Sequence, residues 1–317
     1  MLVRLALITL LALTSFLGTA TARSQTPSPS SGQLSQASQG SAASSNTDTG
    51  AKHTLWSVKG KTNTVYLLGS VHLLSPSEQL PAAMDAAYED AEAILMEIDM
   101  DDVDPLELQR VMLELGTLPP ERTLEQEIGS EAYAKLTAQA RDLGLNPAVL
   151  DRFRPWLAGL TLAQLHLMVK MGLDPNSGVE RRLSQRAVRD GKEIRGLETL
   201  EEQLGVLANL SPEMQREFLM YSIEDTERAT QEVDAMIAAW RRGDADGLAS
   251  LLAEGFEKYP EMYAPLTVHR NQRWVPQLEA LLDDEQDYLV VVGALHLVGK
   301  DSVIDLLERK GHSIRQH

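Results

Sequence analysis

The sequence predicts an α/β domain: a mixed sheet built from two strand–Gly–x–x–His–helix half-units at the chain ends, with a large helical insertion between them. Three observations carry this. Tyr288-Leu289-Val290-Val291-Val292 is a continuous apolar, β-branched run, the composition of a strand buried on both faces. Gly293 ends it and His296 follows, ahead of a helical stretch from about Lys300 to Arg309. The same order recurs near the other end, where Val65-Tyr66-Leu67-Leu68 is followed by Gly69 and His72. Placed side by side in one sheet, the two units make a single domain closed by its own termini.

Taken in order, Met1–Arg4 is a short basic start, Leu5–Gly18 an apolar run and Ala20-Thr21-Ala22 a small-residue cleavage pattern. Residues 1–22 therefore read as a secretory signal, which places the mature chain in the periplasm or outside the cell. The apolar run is short for a membrane span, so no stable span is expected after cleavage. Residues 23–52 are rich in Ser, Gln, Thr, Gly and Ala and read as a disordered linker. The folded domain is expected over residues 53–317. Leu55–Val58 and Thr64–Leu68 flank a Gly-bearing turn and form a hairpin. A helix over 79–90 leads to a strand over 93–98, which carries Glu97 in an otherwise apolar run and Asp99 just beyond it.

The insertion reads as helices over 105–114, 131–143, 154–171 and 176–190. A short strand over 192–198 leaves Glu198 at its end. Further helices are expected over 200–207, 211–242 (with Ser211 as N-cap), 246–253 and 266–282. The second half-unit and a last strand over 312–315 close the domain.

Composition narrows the chemistry. A formal net charge of −17 argues against nucleic acid or an anionic membrane surface as partner. Cysteine is absent, which removes thiolate nucleophiles, disulfides, zinc–thiolate sites and a lipoprotein anchor. Any metal must then sit on His, Asp, Glu and water. Gly-x-Ser-x-Gly, phosphate-loop, dinucleotide and His-Glu-x-x-His motifs are absent as well.

In open α/β sheets ligands sit beyond the carboxyl ends of strands. His72, His296, Glu97 and Glu198 all fall there. A helix N-terminus next to each His disfavours imidazolium and leaves a neutral ring, fit to bind metal or to act as a base. Two imidazoles and a carboxylate suffice for an open divalent-metal site that activates water. Equally, each His can be a satisfied structural residue, and Glu97 can be held by a basic side chain. His53, His166, His269, His312 and His317 lack the repeated context and read as structural or exposed.

These residues resemble the TraB/PrgY/GumN family, whose animal relatives include the Tiki proteases. The resemblance rests on Gly69-Ser70-Val71-His72, Met96-Glu97-Ile98-Asp99, Arg154-Pro155-Trp156 and Ser177-Gly178-Val179-Glu180. It continues with Gly196-Leu197-Glu198-Thr199, Arg270-Asn271-x-x-Trp274 and Gly293-Ala294-Leu295-His296-Leu297-x-Gly299. It spans about Thr54 to Arg315, and the leader matches the secreted, GumN-type bacterial branch. It implies a fold related to ChaN-like haem-binding proteins and erythromycin esterases. It also implies metal-dependent proteolysis, with His72, His296 and Glu97 holding or serving the metal and Glu198 as a second acidic candidate. Arg270 and Asn271 would share one helix facing the site and orient the substrate. Glu180 is acidic where the pattern expects an acid, with no role attached.

The sequence thus points first to a secreted or periplasmic metal-dependent hydrolase that cleaves a peptide, using a divalent ion such as Mn²⁺, Co²⁺ or Zn²⁺. The alternative is a non-catalytic binding protein that holds haem, a metal or a signalling peptide in the same cleft. A third reading is ester hydrolysis with His as base and no metal.

Overall fold

Leu55–Lys59 (β1) and Thr64–Ser70 (β2) pair antiparallel around the intervening Gly60-Lys61-Thr62-Asn63 turn. They belong to a computed structural model that describes residues 51–317 apart from 225 and 258. The signal predicted over 1–22 and nearly all of the linker predicted over 23–52 lie outside the described residues.

After β2 come α1 (Ala82–Asp90), β3 (Ala93–Met96), α2 (Pro105–Gly116), α3 (Leu124–Ile128), α4 (Ser130–Asp142), α5 (Pro155–Met171) and α6 (Val179–Asp190). Strand β4 (Glu193–Gly196) follows, then α7 (Leu200–Ala208), α8 (Pro212–Glu224), α9 (Thr226–Arg241), α10 (Ala245–Phe256) and α11 (Pro260–Tyr263). A π-helical turn at Ala264–Val268 runs directly into α12 (His269–Leu281), and β5 (Tyr288–Gly293), α13 (Val303–Arg309) and β6 (Ile314–Gln316) complete the chain.

The six strands form one mixed sheet in the order β4-β3-β5-β2-β1-β6. The two half-units are neighbours in it: β2 and β5 pair in parallel, with Gly69 opposite Val292 and Ser70 opposite Gly293. The two Gly-x-x-His units therefore sit one residue out of step. β3 runs parallel to β5 on its other side, and β4 parallel to β3. Four parallel strands thus end on the same edge, and β5, buried at every position, lies in their midst. The last strand lies antiparallel against β1 on the far edge.

Local chemistry accounts for most element boundaries. Asp104 caps α2 through the Leu106 amide, and Thr199 with Glu202 forms a reciprocal capping box on α7. The helix expected from residue 79 begins only at Ala82, because Pro81 adopts an extended ψ of 143°. The helix expected over 211–242 is seen as α8 and α9 on either side of residue 225. Helix α5 is apolar around most of its circumference and correspondingly buried, with α8 packed along it. A satellite core of Leu124, Leu136, Leu150, Leu162 and Leu219 ties the insertion together beside the main core. Among the described residues no helix is long and apolar enough to cross a membrane.

Candidate functional site

Each of the four parallel strands delivers one polar residue to the shared edge: His72 after β2, His296 after β5, Glu97 after β3 and Glu198 after β4. The β3–β4 ladder runs on past the strands, with Leu197 donating to Met96 and Glu198 to Glu97 through backbone bonds of 2.9 and 3.0 Å. The two carboxylates therefore leave from paired backbone. Close approach, not an unusual dihedral, is what Gly69 supplies: a Cβ there would lie 3.0 Å from Ala294 Cα and 3.3 Å from Thr54 Cβ. Its carbonyl is fixed by the Trp240 indole at 2.8 Å.

Arg270, in the first turn of α12, has a side chain with no exposure and is the hub of the larger cluster. Its Nη2 lies 2.6 Å from Glu97 Oε2 and 2.5 Å from Glu198 Oε1, and its Nε lies 3.1 and 3.2 Å from the two Glu198 oxygens. Its Nη1 donates to His296 Nε2 at 2.9 Å. A guanidinium can only donate, so Nε2 accepts and Nδ1 carries the proton it gives to Asn271 Oδ1 at 2.7 Å. Trp274, one turn further along α12, packs against both groups: its ring centre is 4.7 Å from the His296 ring, at a tilt of 53°, and 4.7 Å from the Arg270 guanidinium that lies over it. Gln203 donates to Glu97 and Glu198, the Gly293 amide donates to Glu97 Oε1, and the Asn271 amide holds the Asp301 carbonyl.

The electrostatics follow. Burial works against the charge on Arg270, but Glu97 and Glu198 outweigh it and hold the guanidinium above its ordinary value. Burial, then Arg270 and then His72 push His296 well below the usual imidazole range, so this ring is neutral. Burial lifts Glu198 above the ordinary carboxylate value against the pull of Arg270.

A second cluster surrounds His72. Its Nδ1 lies 2.7 Å from Glu180 Oε1, and the Ser70 hydroxyl donates to the same oxygen. Burial favours the neutral Glu180 acid, but His72 and Ser70 overcome it and keep the carboxylate below its ordinary value. Helix α6 brings Glu180 here by docking its first turn on the end of β2. Val179 donates to the Val71 carbonyl, and Gly178 passes so close that a Cβ would lie 2.0 Å from the His72 carbonyl oxygen.

All six residues singled out from sequence thus gather at one sheet edge: His72, His296, Glu97, Glu198, Arg270 and Asn271. The helix-dipole account of the two histidines is corrected. His296 closes a 3₁₀ turn and α13 starts only at Val303, while α1 starts only at Ala82. Neutrality at His296 comes from burial and a neighbouring guanidinium instead. Sequence reasoning left Glu180 without a role and missed Ser70 and Gln203. Ser70 sits inside the first Gly-x-x-His unit and was open to notice; Gln203 lies on α7 and carries no local signal.

A divalent ion on His72, His296 and Glu97 does not fit this arrangement. Both His296 nitrogens are engaged, Glu97 accepts through both oxygens, and His72 Nδ1 is held by Glu180. Among the described residues, no three His, Asp or Glu side chains form a group able to hold a metal ion.

Comparison with known proteins adds one finding. The profile of the TraB/PrgY/gumN family matches residues 54–316, essentially the whole described domain. No curated protein and no solved structure matches the chain.

Proposed function

The chain belongs to the TraB/PrgY/gumN family, and from that premise we propose that it is a hydrolase of acyl bonds, peptide bonds first among them, with His72 as general base. The observation that carries this reading is the buried His72–Glu180 pair at 2.7 Å. A carboxylate on Nδ1 fixes the ring orientation and tautomer, which makes Nε2 the basic nitrogen that takes a proton from water. The same pairing stabilises the imidazolium formed when that proton arrives. Arg270 directs its positive charge at Glu97 and Glu198 and braces the same sheet edge rather than meeting substrate. His296 and Asn271 hold that charge in place.

A divalent ion joins this reading only where Arg270 gives up Glu97 and His296, and no step is assigned to one. The leader over residues 1–22 supports action in the periplasm or outside the cell, which N-terminal sequencing of the secreted protein tests.

One observation favours a second reading, a non-catalytic binding protein. No residue of the two clusters is more than 7% exposed, so the site is closed as it stands. For catalysis, part of the cover must move. The π turn at Ala264–Val268 is the irregular segment directly ahead of Arg270, and such turns frequently accompany functional sites. A peptide-library digest read by mass spectrometry, with native mass spectrometry of the purified chain, separates the two. Cleavage at defined bonds supports the hydrolase. A stoichiometric co-purified ligand with no cleavage supports the binder.

A further inference from the structure

We infer that the Arg270 guanidinium is the resident cation of this centre, filling the place between Glu97, Glu198 and His296 that a divalent ion would otherwise take. This inference does not rest on the hydrolase reading and holds equally for a binding protein.

Three features support it. The first is coordination. Four of the five guanidinium N–H groups are directed at Glu97, Glu198 and His296, and the planar face is covered by Trp274. With Nη2 at 2.6 and 2.5 Å from one oxygen of each carboxylate, an ion bound at metal–oxygen distances of about 2.0–2.2 Å to those atoms would overlap it. The two cations exclude one another.

The second feature is charge. Two carboxylates buried to 1% and 7% exposure need a positive partner, and a fully buried guanidinium supplies one without an ion. The third is the outer shell. His296 gives its remaining N–H to Asn271 Oδ1, the device that fixes ring orientation in metal-bound histidines, yet here the other nitrogen faces a guanidinium.

Mn²⁺ binding to the purified full chain, measured by electron paramagnetic resonance and calorimetry after chelation and desalting, tests this directly. The wild-type chain is expected to show no Mn²⁺ site that Glu97→Gln abolishes. Arg270→Ala is expected to gain one Mn²⁺ site per chain as the Glu97, Glu198 and His296 side chains close on the vacated space, lost again in Arg270→Ala/Glu97→Gln and competed by free guanidinium. A wild-type chain that binds one equivalent of Mn²⁺ and loses it with Glu97→Gln overturns the inference. So does a folded Arg270→Ala chain that gains no site. Should Arg270→Ala fail to fold, the comparison of wild type with Glu97→Gln decides alone.

Discussion

Replacing Arg270 with methionine keeps much of its bulk and removes its charge, and the consequences can be worked from the contacts. The side chains of Glu97 and Glu198 are 0% and 1% exposed, so neither gains compensation from water when the guanidinium leaves. Removing one partner of a buried ion pair costs about 3–5 kcal/mol, chiefly because charge stays buried and unpaired, here that of Glu97, since Arg273 remains 3.6 Å from Glu198. A loss of that size is expected at pH 7.5 from urea unfolding, followed by far-UV circular dichroism and tryptophan fluorescence. The sign of the pH dependence is a stricter check. Without the guanidinium the burial that already lifts Glu198 is less opposed, so the folded variant binds protons more readily than the unfolded chain. Its deficit against wild type therefore narrows as pH falls from 7.5 toward 5.5, by up to about 1.4 kcal/mol per pH unit for each group that titrates. Neutralising both partners in Arg270→Met/Glu97→Gln/Glu198→Gln should recover most of the loss. A deficit below about 1 kcal/mol, or one that widens on acidification, refutes the reasoning.

Other expectations are as direct. His296 is held neutral in the fold while its unfolded value is near 6.5, so its contribution is fully present above pH 6.5 and is lost as pH falls below it. Urea midpoints at pH 7.5, 6.5 and 5.5 should drop on the acid side, and His296→Gln should flatten that slope. Gly178→Ala drives a methyl into the His72 carbonyl and should cost about 1–3 kcal/mol by chemical denaturation, with a disproportionate loss of turnover. Glu180→Gln leaves His72 without its orienting charge. Turnover should fall by about 10²-fold or more while circular dichroism stays native, and an unchanged rate would remove Glu180 from the mechanism.

What the sequence made legible follows from how local each signal is. The side-by-side placement of β2 and β5 was readable because Tyr288–Val292 is apolar without a break, which only a central strand buried on both faces tolerates. His72 and His296 followed from the repeated Gly-x-x-His unit, and Glu97 and Glu198 from the ends of their own strands. Glu97 drew attention because a carboxylate in an apolar run must be answered by something, and Arg270 answers it. The role of Glu180 was hidden because it depends on α6 docking against β2 through Val179 and Gly178, a contact between segments far apart in the chain. The dipole argument failed because the spacing between each His and its next helix is set by loop conformation, which residue order does not specify. The same limit applied to the guanidinium: Arg270 on α12 reads as a substrate-facing residue until packing shows it saturated by the protein itself.

The central claim is that His72, oriented by Glu180, takes the proton in a hydrolytic step. Its most direct measurement is the rate of cleavage of one defined peptide by wild type and by His72→Ala, each shown to be folded by circular dichroism and urea unfolding. The account predicts turnover by wild type and a loss of at least about 10²-fold in the variant. Equal rates in the two proteins, or no cleavage by wild type beside a stoichiometrically retained ligand, would contradict it.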